Sequence, residues 1–242
     1  MRSRDMKTLI AWATLALSVS FAAAPLVTSP FTGFTADQLP VPQIDPPVQP
    51  AGWAFSIWGL IYAWLLVSAA YGAWKRPRAE DWHRARWPLL VALGVGTPWL
   101  AIANASAIWA TITIFVMAAG AIGAFLAAPR RDIWLFRVPV GIFAGWLSAA
   151  SFVSLGSTAA GYGLVMGQTG WAILCLIAAT LLALVVQSRR PRAASYGLTV
   201  AWALMAIVVA NGLNMPGLVA LASLVAILGA LALAWRVARR PT

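Results

Sequence analysis

An all-α bundle of about eight membrane-spanning helices is the fold class this sequence predicts, and three observations predict it. Apolar residues make up 62% and charged residues 10% of the 242, with a mean hydropathy of +0.82. Soluble domains carry about a quarter charged residues. Eight stretches, at 8–27, 53–74, 87–104, 107–127, 134–155, 169–188, 194–211 and 216–236, approach or reach the apolar length of about 20 residues needed to cross a bilayer. All 17 Lys and Arg residues fall before the first span, at or after the end of the last, or in alternate connections and the span ends that border them.

The first span follows Arg2, Arg4 and Lys7 and ends near Ala22-Ala23-Ala24. That order resembles a secretory signal, but a cut after Ala24 would leave Pro25 at the new terminus, so the span is read as retained. The second span leaves the proline-rich loop 28–52 and closes on Lys75, Arg76 and Arg78. The third carries Pro88 and the sequence Gly94-Val-Gly-Thr-Pro98, the nearest candidate for a helix break. Thr111 and Thr113 lie in the fourth, where hydroxyls bond backbone carbonyls or bridge helices. Arg130, Arg131 and Arg137 introduce the fifth, which holds Pro139 and Gly141-x-x-x-Gly145, a spacing that permits close helix approach and, with it, a homodimer. The sixth contains the lone Cys175 as a small packing residue and is followed by Arg189, Arg190 and Arg192. Asn211 ends the seventh, and Arg239 and Arg240 follow the eighth.

A net charge of +11 in a soluble chain would point to nucleic acid, but here its distribution excludes that partner. Loops 28–52, 104–106, 156–168 and 212–215 have no Lys or Arg. The positive-inside rule therefore places both termini in the cytoplasm, in a multi-pass protein of a bacterial-type inner (plasma) membrane. The basic clusters also suit anionic lipid headgroups, so membrane lipids are expected partners. Trp12, Trp74, Trp82, Trp87, Trp134 and Trp235 fall near headgroup level and are read as interfacial anchors.

The six acidic residues lie in loops or at span ends, as does His83, so no ionisable relay crosses the membrane and ion-coupled pumping is disfavoured. One His and one Cys cannot build a metal set, and no nucleophile–base pair is visible. Neither catalytic nor metal-ligating residues are assigned. Phe55, Trp58, Tyr62 and Leu66 recur every three or four residues, as do Phe143, Trp146, Ala150 and Ser154, so each set shares one helix face. Two such stripes either pack helices together or hold a flat aromatic ligand between them.

The stretch Pro46 to Tyr62 reads Pro-Pro-Val-Gln-Pro-Ala-Gly-Trp-Ala-Phe-Ser-Ile-Trp-Gly-Leu-Ile-Tyr. It resembles the start of the second helix in the TspO/MBR family of tryptophan-rich sensory and translocator proteins, whose members carry Pro-Pro-x-Trp-x-Phe and then a Trp and a Tyr four residues apart. In the fifth span Pro139, Trp146 and Ala150 resemble a second family motif, which normally ends in Leu-Asn where this chain has Val153-Ser154. Asn104 stands for the family's third-helix Asn, although the next Trp is Trp109 and position 107 is Ala.

The resemblance covers about residues 8–155. It implies a TspO-like five-helix domain over 1–155, with three additional transmembrane helices over 156–242. It further implies a porphyrin or other tetrapyrrole ligand, with no covalent cofactor, held by Trp53, Phe55, Trp58, Tyr62, Asn104, Phe143, Trp146 and Ala150. Loop 28–52 would be its lid, with Phe31, Phe34, Asp37, Gln38 and Asp45 as lid residues and Gln38, Gln43 or Gln49 as donors to the ligand's carboxylates. Sensing or translocation is the implied role. A small-molecule transporter of other specificity and a light- or oxygen-dependent porphyrin-degrading enzyme are the alternatives.

Overall fold

The computed structural model describes residues 3–29 and 31–238; Arg2, Pro30, Arg239 and Arg240, named above, lie outside the described residues. Nine α-helices occupy the described residues: α1 (Ser3–Val27), α2 (Ile57–Lys75), α3 (Glu80–Gly96), α4 (Trp99–Ala105), α5 (Ala107–Ala127), α6 (Val138–Gly161), α7 (Gln168–Arg189), α8 (Ala194–Asn211) and α9 (Met215–Ala238). Seven helical stretches are long and apolar enough to cross a membrane, and α3 with α4 makes an eighth if that pair, bent by 42°, is one span. The protein is thus a polytopic all-α membrane bundle, as its hydropathy predicts.

The bend falls at Thr97-Pro98. Pro98 has no N–H to continue the ladder. The carbonyl that loses this donor is that of Gly94; Leu93 O accepts from the Thr97 N–H and from Thr97 Oγ1, both at 2.9 Å, and α4 resumes with Ile102 N–H donating to Pro98 O at 3.0 Å. Ser106 then ends α4 and caps α5, its Oγ accepting from Trp109 N–H at 3.3 Å. A π-helical turn, Ile133–Arg137, leads into α6.

Helix α6 is the axis of the bundle and packs against α2, α5, α7 and α8. Its small residues make this possible: Gly141, Ala144, Gly145, Ser148, Ala149 and Ser151 are all buried. The Gly141-x-x-x-Gly145 face is occupied by α8, with a Cβ at Gly145 falling only 2.5 Å from the backbone oxygen of Tyr196. The motif therefore closes a contact within the chain and does not itself indicate a homodimer.

Hydrogen bonds and ion pairs gather the basic segments at one end of the bundle. Lys7 pairs with Glu80, Arg76 with Asp132, and Arg190 donates to the carbonyls of Leu126 and Ala128 at the end of α5. The loop at 31–52 lies at the other end, where Val41 N–H donates to Gly161 O at 2.8 Å and Asn211 Nδ2 to Pro47 O at 2.9 Å.

Trp82 departs from its expected place at the interface. It is 2% exposed, packs edge-on against Phe136 at 4.6 Å, and donates its indole N–H to Asp132 Oδ2 at 2.8 Å. Trp12, Trp74, Trp87, Trp134 and Trp235 are exposed, as belt residues should be. Asp132 also accepts from Arg76 Nε at 3.0 Å and Nη2 at 3.3 Å. The Arg76 bond above all, with help from Trp82 and against the effect of burial, holds the Asp132 carboxyl below its usual value of 3.8. A depressed carboxyl pKa contributes stability above the unfolded-state value, and that stability is lost as pH falls through the folded-state value. Thermal unfolding of the detergent-solubilised protein is expected to fall on acidification below about pH 4. Asp132→Asn should lower the midpoint at neutral pH and flatten that acid dependence.

Candidate functional site

The non-basic end of the bundle encloses a cavity of about 250 Å³. Helix α2 supplies Phe55, from the short 3-10 turn Gly52–Ser56 that precedes it, together with Trp58 and Tyr62. Trp58 and Tyr62 lie one turn apart with rings stacked at 5.3 Å and 18°, as the four-residue spacing dictates. Opposite them α6 presents Trp146, Ala149, Ala150, Val153, Ser154 and Ser157. Trp146 meets both aromatic partners edge-on, Phe55 at 5.7 Å and Trp58 at 6.1 Å.

Beneath this layer Phe21 of α1 packs against Trp58, Tyr62 and Phe143 at 6.0, 5.2 and 5.4 Å. Helix α1 is thus part of the site's support and also contributes Pro25 to the lining. Directly after the Pro98 break, Trp99 and Leu100 turn into the cavity. Trp99 is fixed there by its indole N–H, which donates to Ala110 O at 3.0 Å. Ala203 of α8 completes the wall.

The roof is the proline-rich loop. Phe31, Phe34, Gly33, Gln49 and Pro50 face the cavity, with Phe31 edge-on to Trp99 at 5.2 Å. Gly33 has φ +132, and a Cβ there would stand 2.7 Å from Gln49 Oε1, so glycine is what lets the two arms of the loop cross. Gln49 Nε2 ties those arms together through Thr32 O at 3.0 Å. Gln38 Nε2 pins the loop to α4 through the carbonyls of Ala103 and Asn104 at 3.0 and 2.9 Å. Ala51 N–H pins its far end to Ala206 O of α8 at 3.1 Å. Asp37 and Asp45 are exposed on the outside of the loop, and Asp37 has its carboxyl pKa lowered chiefly by a hydrogen bond from Thr35.

Of the eight residues named from the sequence, Phe55, Trp58, Tyr62, Trp146 and Ala150 line the cavity together. Trp53, Asn104 and Phe143 do not. Trp53 is 43% exposed and packs edge-on against Trp202 at 4.8 Å. Asn104 uses its Nδ2 on Ser29 O at 3.2 Å, so it ties α4 to the loop's beginning. Phe143 is wholly buried one turn below Trp146. Trp99, Ser157 and Ala203 were not singled out from the sequence. For Trp99 the signal was present in the Thr-Pro break just before it; for Ala203 there was none.

Chemically the lining is aromatic and aliphatic with few polar groups. Ser154 Oγ, Thr111 Oγ1 and Thr158 Oγ1 bond in a buried chain, at 2.7 and 2.8 Å, where the family's Leu-Asn would stand. The indole N–H of Trp146 is buried without an acceptor among the described residues, although the residue lines the cavity. The side-chain amides of Gln38, Gln43 and Gln49 all donate to carbonyls of the protein, so none is held open for an anion. No group of three or more His, Cys, Asp or Glu side chains able to hold a metal occurs among the described residues.

A polytopic helical membrane protein with an aromatic cavity beneath a pinned outer loop is the class that this fold and site define. The chain belongs to the TspO/MBR family: the family model described as TSPO-like protein matches residues 6–235. That match runs beyond the motif-bearing stretch 8–155 and takes in the last three helices. No curated protein and no solved structure matches the chain.

Proposed function

We propose that this protein binds a flat, amphipathic aromatic ligand of the tetrapyrrole type between α2, α4, α5 and α6, beneath the loop at 31–52, and that binding serves sensing or translocation. The observation that carries the reading is the convergence of Phe55, Trp58, Tyr62, Trp99 and Trp146 on one cavity. Aromatic walls stack a conjugated ring, and the few polar groups fix its orientation. Family membership supports a ligand-binding role.

The cavity, about 250 Å³, falls just short of the ~300–1,000 Å³ typical of small-molecule pockets. A macrocycle therefore requires displacement of Phe31, Phe34 and Gln49, the roof. With no cation in the lining and the glutamine amides committed, the ligand's carboxylates would point outward to water at the mouth.

The test is a Soret-band titration with protoporphyrin IX of the wild type and of Ala150→Phe, a variant that fills the cavity without removing a packed side chain. Saturable binding in the wild type and its loss in a variant with unchanged helicity and size-exclusion profile is the expected result. No binding by the wild type, or equal binding by a folded variant, would overturn the reading.

A further inference from the structure

A second cavity, about 560 Å³, lies against α2, the π-helical turn, α6 and α8, and shares no lining residue with the first. One part of its wall is polar and basic: Arg137, Arg192 and Ser195. The remainder is apolar, with Ile57 and Leu60 from α2, Ile142 from α6, and Leu198 and Trp202 from α8. It opens sideways along the membrane-spanning helices, where Leu60 is 48% and Leu198 53% exposed. Such a groove has an amphipathic shape, with a cationic head and an oily trough.

The head is short of negative charge. Arg137 Nη2 donates to Pro129 O at 2.8 Å, which leaves its Nε buried with no partner, and Ser195 Oγ is also buried and unpartnered. Arg192 is exposed, and neither ion pair found among the described residues involves Arg137, Arg190 or Arg192. Arg130, Arg137 and Arg190 stand close enough for their like charges to repel one another. The nearby carboxylate, Asp132, is already committed to Arg76 and Trp82. Unpaired buried donors and clustered guanidiniums are costly, and a phosphate supplies acceptor oxygens of matching geometry.

The geometry points to a binding site for an anionic phospholipid, its phosphate on Arg137, Arg192 and Ser195 and an acyl chain in the trough toward Ile57 and Trp202. A free phosphate would satisfy the head but leave the apolar trough to other molecules. A zwitterionic lipid would bring its own cation to a site already rich in them. Basic pockets between transmembrane helices are a general mode of acidic-lipid recognition.

The test uses the full chain in neutral detergent, with native mass spectrometry for lipid retention and thermal unfolding for stabilisation. The added probes are phosphatidylglycerol, phosphatidylcholine and inorganic phosphate. The variant is Arg192→Gln/Ser195→Ala, which spares Arg137 because that residue also binds a backbone carbonyl. The wild type should retain one phosphatidylglycerol and gain stability from it, with little effect of the other two probes. The double variant, folded to the same unliganded midpoint, should retain phosphatidylglycerol about tenfold more weakly. Equal retention of phosphatidylcholine, equal stabilisation by inorganic phosphate, or undiminished retention by the variant would each overturn the assignment. Porphyrin binding is expected to be unchanged in this variant, so failure here is distinguishable from failure of the first site.

Discussion

Trp58→Ala is expected to weaken protoporphyrin IX binding by about 30-fold, the equivalent of roughly 2 kcal/mol for loss of a central aromatic contact. Trp58 stacks on Tyr62, meets Trp146 and Phe21 edge-on, and lines the cavity, so its indole is central to the proposed contact surface. It is only half-buried, and the buried packing residues of α2 that share its face, Ile61, Leu65 and Ala69, stay in place in the variant. The variant should therefore fold. Trp58→Phe, which keeps a ring at the same place, should lose no more than a few-fold, on the order of the difference between two aromatic stacks. Trp53→Ala provides the control: Trp53 lies on the same segment, but its ring packs on Trp202 outside the cavity, so binding should be unchanged. Equal losses for Trp53→Ala and Trp58→Ala would mean that the segment matters only through the fold. No loss for Trp58→Ala would remove the aromatic wall from the binding surface.

The bundle was largely legible because the bilayer imposes a length and a polarity on every span, and hydropathy reads both. The spans 107–127 and 194–211 coincide with α5 and α8, and the remaining boundaries differ by a few residues to about a turn or two. The third span was the exception, since its helix begins at Glu80 and includes charged residues that a hydropathy window rejects. Arg86 is tolerated there because its guanidinium donates to the carbonyls of Gly72, Arg76 and Pro77 at the end of α2. Trp82 is buried for a related reason, having an aspartate to receive its N–H. Sequence distance hides both partnerships.

The site was legible where helical periodicity sufficed, on the stripes of α2 and α6. Periodicity does not say how deep along a helix the cavity ends, which is why Phe143 shares Trp146's stripe yet lies below the floor. Nor does it say which distant element closes the wall. Trp99 and Ala203 enter only because α4 turns after Pro98 and α8 crosses α6 at its glycines. Of the last three helices, which carried no readable motif, α8 holds the roof in place through Ala206 and Asn211.

Gly145 is where the largest loss of folded protein is expected. A Cβ built there stands 2.5 Å from Tyr196 O and 2.9 Å from Thr199 Cβ, and the first of these is backbone that cannot swing aside. Tyr196 itself is fully buried, stacked on Phe125 at 5.4 Å and donating its hydroxyl to Ser148 Oγ at 3.0 Å, so α8 has no room to retreat. Gly145→Ala should cost about 1–3 kcal/mol, the usual range for overpacking a close contact, and Gly145→Leu should exceed it and abolish recovery of a monodisperse protein. Unfolding in mixed micelles and size-exclusion profiles measure the two. Gly229→Ala in α9, where a Cβ meets nothing within 4 Å, should be neutral or mildly stabilising through helix propensity. Because α8 also anchors the loop through Ala206 and Asn211, Gly145→Ala should in addition weaken porphyrin binding, although Gly145 does not line the cavity. Matching behaviour of Gly145→Ala and Gly229→Ala would mean that the α6–α8 crossing is looser than this packing and that the roof is held by other means.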